Sequence, residues 1–224
     1  QNLISMVFRL MSFRDGWMLV GKAGKRATAK AEDRSFPPPL HLVLVEEPEA
    51  YLHAQIQQVF IRKAYDILRA HADLGEKTTL NTQLIVSTHS SHIAHESEFA
   101  SLRYFRRRPA VSVGEVPTSI VVNLSEVFGD KEETQQFVTR YLKATHCDLF
   151  FADAAILVEG PAERMLIPHF IREHFKKLNQ CYVTLLEIGG SHAHRLRPLI
   201  EHLGLITLVV ADLDATEPTG KRPA

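Results

Sequence analysis

Cysteine is nearly absent: the chain holds Cys147 and Cys181 and no others, neither in a CxxC setting. That excludes a disulfide framework and a zinc site built by cysteine alone, and makes a reducing, cytoplasmic setting the expectation. Net charge is lacking too, because 26 basic residues balance 26 acidic ones. A small domain that lives on phosphate contacts across a basic surface is therefore excluded, and any nucleic-acid role must come from local chemistry. Long apolar runs are missing: stretches such as Leu42 to Val45 and Ala154 to Val158 fall far short of the ~20 residues that span a bilayer. No basic, apolar, small-residue pattern opens the chain, so no membrane is implied.

What is present is ordinary for a folded protein, with 45% hydrophobic residues in 224, enough for one large domain or two modest ones. Leu3, Met6, Val7, Leu10 and Met11 recur at helical spacing, and Asp15-Gly16 is expected to stop that helix. Lys22 to Pro39 is rich in Gly, Lys, Ala and Pro and reads as an exposed loop. Leu42 to Val45 and Leu84 to Val86 are short continuous apolar runs, the pattern of strands buried on both faces of a parallel sheet. A long helix over roughly residues 50–72 lies between them. Leu102 to Phe105 and Ser119 to Val122 read as two further strands leaving that sheet. A polar, helical stretch with an apolar stripe follows, and after it strands at 154–158, 183–188 and 206–210 alternate with helices at 162–177 and 194–202. That alternation is the βαβ pattern of a parallel sheet. The expected division is 1–123, a helical connection at 124–152, and 153–224. The chain opens inside a helix without Met and closes on a loop-like segment, so both ends are expected to be internal to a longer protein.

Two constellations carry chemistry. In the first, Glu46 and Glu47 follow an apolar strand and precede Pro48-Glu49-Ala50, which places carboxylates at the C-terminal edge where α/β sheets bind ligands. Phosphate hydrolysis needs one acid on the Mg²⁺ side and another to orient water. Two glutamates there equally suit the first turn of a helix. Past the next strand, Ser87-Thr88-His89-Ser90 supplies an imidazole able to hydrogen-bond a γ-phosphate or the attacking water. In the second, strand 154–158 runs into Glu159-Gly160-Pro161-Ala162-Glu163, and strand 206–210 runs into Asp212-Leu213-Asp214. Glu159 and Glu163 can face one point, and Asp212 and Asp214 share a side of an extended backbone. Clustered acids of this kind favour a hard divalent cation, Mg²⁺ or Mn²⁺, although Asp-Leu-Asp is also a common solvated turn.

The first pair of segments resembles the Walker B, D-loop and switch-histidine regions of ABC-type ATPases of the SMC and RecF kind. Gln1-Asn2-Leu3-Ile4 looks like the helix after the signature loop of those enzymes. That resemblance implies ATP as cofactor, Glu46 as the Mg²⁺-side acid, Glu47 as catalytic base and His89 as the switch histidine. No GxxxxGK[ST] phosphate loop occurs in the 224 residues; Gly21-Lys22-Ala23-Gly24-Lys25 has no strand before it and no Ser or Thr after the lysine. The second pair resembles the Toprim domain of topoisomerases, primases and nucleases, with Gly189-Gly190 suiting a small turn after the middle strand. Glu163 looks like the extra acid of OLD-family nucleases. An ATPase of this kind joined to Toprim is the OLD-family arrangement, with Asp212 to Ala224 looking like its class 2, Gabija-like members.

The resemblance implies an α/β chain: the C-terminal part of an ABC/SMC-like P-loop ATPase sheet, then a partial Toprim domain with a Rossmann-like parallel sheet. It implies an ATP-dependent endonuclease with two Mg²⁺ or Mn²⁺ ions held by Glu159, Glu163, Asp212 and Asp214, Glu159 also serving as general acid or base. DNA, a homodimer or higher homo-oligomer and a helicase-type protein are the implied partners, in phage defence or DNA repair. The alternative is an SMC/RecF-like DNA-binding regulatory ATPase whose Toprim appendage is inert. By themselves, these 224 residues are expected neither to hydrolyse ATP efficiently nor to cut DNA. The basic run Arg103, Arg106, Arg107 and Arg108 reads as a solvated face, and His192 and His194 as surface histidines.

Overall fold

The computed structural model describes residues 2–30, 37–72, 74, 79–128, 132–142, 147–188 and 192–211. The chain divides into two compact units, Gln1–Ser97 and Glu98–Ala224. Both are mixtures of helix and strand, and each contains a parallel sheet.

In the first unit, helices α1 (Asn2–Trp17) and α2 (Gly21–Lys30) precede strand β1 (Leu40–Glu46), helix α3 (Ala54–Arg69), strand β2 (Asn81–Ser87) and helix α4 (Ser91–Glu96). β1 and β2 pair in parallel with Val43 opposite Leu84 and Glu46 opposite Ser87, so both strands end at one edge. The core is Leu10 of α1, Val43 of β1, and Phe60, Ala64 and Leu68 of α3, closed by Leu52. Arg14, 8% exposed, locks α1 to α3 by donating to the carbonyls of Ile67 and Ala70 at the end of α3, where cations satisfy the last carbonyls. α1 runs past the Asp15-Gly16 stop because Arg14 and Trp17 are both buried in its last turn.

Three expectations for this unit are corrected. Residues 21–30 are helical rather than loop, since Lys, Ala and Arg outweigh the two glycines, Gly21 and Gly24. Gly24 is required there: a Cβ would lie 2.1 Å from the Leu19 carbonyl carbon. The helix expected over 50–72 is a short 3₁₀ turn, Pro48–Tyr51, followed by α3. The break is Leu52, extended so that its side chain enters the core while its carbonyl accepts from Gln57. β1 is covered on one face only among the described residues: Val43 is 5% exposed, Leu42 47% and Leu44 68%.

The second unit holds an antiparallel pair, β3 (Arg103–Arg108) and β4 (Thr118–Asn123), aligned from Arg103 opposite Asn123 to Arg108 opposite Thr118. They pair with each other rather than with β1 or β2. Helix α5 (Glu132–Tyr141) follows, then β5 (Ala154–Val158), α6 (Pro161–His174), β6 (Val183–Glu187), α7 (Ala193–Leu203) and β7 (Ile206–Val210). β5 is the central strand of a parallel sheet ordered β6-β5-β7, with Val158 opposite both Glu187 and Val210. That position explains its continuous apolar run, in which Ala155 to Val158 are all buried. Leu186 and the Leu196, Leu199 and Leu203 stripe of α7 complete the core. His192 is not a surface residue as expected: it is half-buried and packs edge-on against Phe137 at 5.1 Å. No helix among the described residues is long and apolar enough to cross a membrane.

Candidate catalytic sites

The first site lies at the common edge of β1 and β2. Glu46 is the last residue of β1 and, by strand alternation, shares the exposed face of Leu42 and Leu44. Glu47 leaves the strand in a left-handed conformation, φ 41° and ψ 58°, which costs a residue with a Cβ about 1–2 kcal/mol. Backbone strain of this sort persists where surrounding bonds over-determine it. Here the Glu47 N–H donates to the Ser87 carbonyl at 2.9 Å, and buried Pro48 starts the 3₁₀ turn.

His89, just past β2, meets Glu47 across the edge: Nε2 lies 3.2 Å from Oε1, with side-chain exposures of 81% and 49%. The structure thus joins two of the three acid and imidazole candidates of this edge, and leaves Glu46 on the exposed strand face. A carboxylate and an imidazole at hydrogen-bond distance, half open to solvent, can hold a water and pass its proton.

Several participants escaped sequence reading. Glu49 accepts from the Thr88 hydroxyl at 2.9 Å and from the His89 backbone N–H at 2.6 Å. The Thr88 hydroxyl in turn accepts from the Ser90 N–H at 3.0 Å. Ser90 caps α4 by accepting from the His92 N–H and donates to Gln57 Oε1 at 2.6 Å. Gln57, 8% exposed, also donates to the Leu52 carbonyl at 2.8 Å. The one available signal was Gln57 itself, a polar residue within the buried stripe of α3.

The second site lies at the edge shared by β5, β6 and β7. Glu159 follows β5 and is half-exposed. Gly160 precedes α6, and Glu163 reaches back so that its Oε2 accepts the Gly160 N–H at 3.1 Å, the helix-start bond of a capping box. Asp212 and Asp214 lie outside the described residues. β7 adjoins β5 with Val210 opposite Val158, so the chain leaves both strands at the same level. Among the described residues no group of three or more His, Cys, Asp or Glu is placed to hold a metal. Glu159 and Glu163 bring the hard oxygen donors that Mg²⁺ or Mn²⁺ takes, and Glu163 spends one of its two oxygens on Gly160, so they fit as half of a ligand set.

Glu187 is an acid at this edge that sequence reading passed over. It ends β6 opposite Val158 and lies 3.6 Å from the Arg164 guanidinium. The Tyr141 hydroxyl donates to its carbonyl at 2.6 Å. Burial first, and then the Glu187 charge, push the Tyr141 phenol well above the ordinary tyrosine range, so it stays a donor at any physiological pH.

Comparison with known proteins places these edges in context. Residues 1–94 match the AAA ATPase domain family, and residues 150–214 match the TOPRIM domain of the overcoming-lysogenization-defect protein-like family. The chain is 32% identical over 192 residues to Endonuclease GajA of Bacillus cereus strain HuB5-5, covering 83% of this chain and 28% of that protein. It is 25% identical over 196 residues to Endonuclease GajA of Bacillus cereus strain VD045, covering 88% and 29%. It is 34% identical over 156 residues to the OLD nuclease of Thermus scotoductus strain ATCC 700910 / SA-01, covering 66% and 26%. The chain therefore spans under a third of the length of these relatives. With an ATPase segment and an OLD-like Toprim segment in this order, the chain belongs to the OLD family of ATPase–Toprim proteins.

Proposed function

We propose that the intact protein is an ATP-dependent, divalent-metal-dependent DNA endonuclease, in which nucleotide chemistry at the β1–β2 edge controls phosphodiester cleavage at the β5–β7 edge. The observation that carries this reading is the Glu47–His89 pair, 3.2 Å apart at the ends of adjacent parallel strands, in a chain whose relatives are named endonucleases and a nuclease. Glu47 orients and deprotonates the attacking water, and His89 donates to the γ-phosphate or to that water. Glu46 serves the Mg²⁺ side of ATP. At the second edge Glu159, Glu163, Asp212 and Asp214 would hold two divalent ions, Mg²⁺ or Mn²⁺, and Glu159 moves the proton. Cations held there would supply an activated water and stabilise charge on the leaving oxygen. DNA is the substrate and a homodimer or higher homo-oligomer the working assembly, acting in the cytoplasm beside a helicase-type partner in phage defence or DNA repair.

One observation favours a second reading, a DNA-binding regulatory ATPase with an inert Toprim appendage: Glu163 already has a structural task at the start of α6. Asp212→Ala and Asp214→Ala in the intact protein distinguish the two. Loss of Mg²⁺- or Mn²⁺-dependent plasmid cleavage with ATP hydrolysis retained is the expected result. Cleavage at the unaltered rate sinks the nuclease reading.

A further inference from the structure

We propose that Glu49 is a positioning residue for the hydrolytic pair: its carboxylate clamps the turn after β2 onto the turn after β1, and so holds the His89 imidazole against Glu47. The inference rests on the reading of the β1–β2 edge as the site of ATP hydrolysis, and adds to it a residue with no direct part in the chemistry.

The His89 side chain is 81% exposed, and its contact across the edge is Glu47. An imidazole so little packed is placed by its backbone. That backbone is tied down at one atom in particular, the His89 N–H, which donates to Glu49 Oε1 at 2.6 Å. The other Glu49 oxygen takes the Thr88 hydroxyl at 2.9 Å, so both oxygens are committed to a segment some 40 residues away in sequence. An acid in the first turn of a helix ordinarily serves its own turn; this one serves a neighbouring loop.

The far side of the loop is anchored independently. Ser90 donates to Gln57, and Gln57, nearly fully buried in α3, donates to the Leu52 carbonyl. The turn carrying His89 is therefore held on one side by Glu49 and on the other by a polar group rooted in the core. A carboxylate suits the first of these anchors because it is acceptor-only at both oxygens and faces two donors. Glutamine keeps one acceptor. It presents an amide N–H₂ to the other partner, which a hydroxyl can take by rotating but a backbone N–H cannot. Alanine removes both bonds.

Release of the turn lets the imidazole drift from Glu47, and misplacement of a reacting group by about 1 Å costs on the order of a hundredfold in rate. In the intact protein, Glu49→Ala is expected to lower kcat for ATP about tenfold to a hundredfold with KM for ATP little changed. Glu49→Gln should recover most of that loss. Amide hydrogen exchange in the segment 87–92 should accelerate in Glu49→Ala and return towards the original rate in Glu49→Gln.

Glu47→Gln is the control for the underlying reading. If it hydrolyses ATP at the original rate, the edge is not hydrolytic and the reading itself fails. If Glu47→Gln is inactive while Glu49→Ala keeps its kcat, the positioning role alone is overturned. A rise in KM with kcat preserved overturns it as well, because Glu49 would then be holding nucleotide. Should Glu49→Ala fail to fold, Glu49→Asp decides, because it keeps the charge but shortens the reach to the Thr88 hydroxyl and the His89 N–H: kcat lowered severalfold with faster exchange at 87–92 supports the clamp, and kcat unchanged overturns it.

Discussion

Acidification should destabilise the Gln1–Ser97 unit through one imidazole. His41 sits on β1 at 8% exposure, stacked on Trp17 with ring centroids 4.6 Å apart and planes 11° from parallel. Its Nδ1 is buried without a hydrogen-bond partner. Burial therefore holds its pKa below the ordinary 6.5. The folded unit keeps the ring neutral while the unfolded chain protonates it near 6.5, so stability is whole above that pH. It falls as pH drops from 6.5 towards the folded-state value. One linked proton gives a slope of at most about 1.4 kcal/mol per pH unit, against a stability of about 5–15 kcal/mol for a typical domain. Trp17 is the one tryptophan of the chain, which makes its fluorescence a reporter of this unit. Urea titrations of the 224-residue chain at pH 7.5, 6.5 and 5.5 measure the slope, and His41→Phe keeps a flat ring on Trp17 while removing the titration. The variant should lose less stability between pH 6.5 and 5.5, by up to about 1.4 kcal/mol. The comparison of the two proteins isolates the contribution of this one ring. Parallel acid slopes would refute the assignment.

Two stability predictions follow from single contacts. Gly204 ends α7 at φ +68°, and a Cβ there would lie 1.9 Å from the Arg106 guanidinium carbon. The arginine can swing away but the backbone cannot, so Gly204→Ala should cost about 1–2 kcal/mol, read as a lowered Tm; an unchanged Tm would show that α7 does not end in the left-handed region. Arg14→Met removes charged hydrogen bonds to Ile67 and Ala70 and should cost about 1.5–3 kcal/mol. Amide exchange should rise over the last turn of α3, and unaltered protection there would mean that the guanidinium does not cap it.

Periodicity located the strands well because each is short, apolar and bounded by polar turns. β5 and β7 fall on 154–158 and 206–210 as expected. It failed where a tertiary contact decides. Leu52 interrupts the expected long helix because the core needs its side chain, and no local pattern shows that need. The apolar run of β1 suggested two covered faces, yet Leu42 and Leu44 are exposed among the described residues. Composition cannot tell which face meets a helix. His192 looked like a surface residue because its partner, Phe137, lies 55 positions earlier in the chain.

The candidate sites divide along the same line. Acids at strand ends are visible in sequence because strand, turn and carboxylate are contiguous; the groups that aim them are not. Had β1 simply continued, strand alternation would have turned Glu47 towards the face of Val43 and Val45, which α1 and α3 cover. The left-handed turn at Glu47 releases it from that alternation and leaves its carboxylate half-exposed beside His89. That conformation is unfavourable in isolation. It is held by the Ser87 carbonyl on the neighbouring strand, and the same strand end carries Thr88 and His89, which Glu49 grips. Two strands that end in register can therefore brace each other's turns. The strained glutamate and the exposed imidazole are fixed by one set of hydrogen bonds, each linking residues about 40 positions apart and none legible from either segment alone.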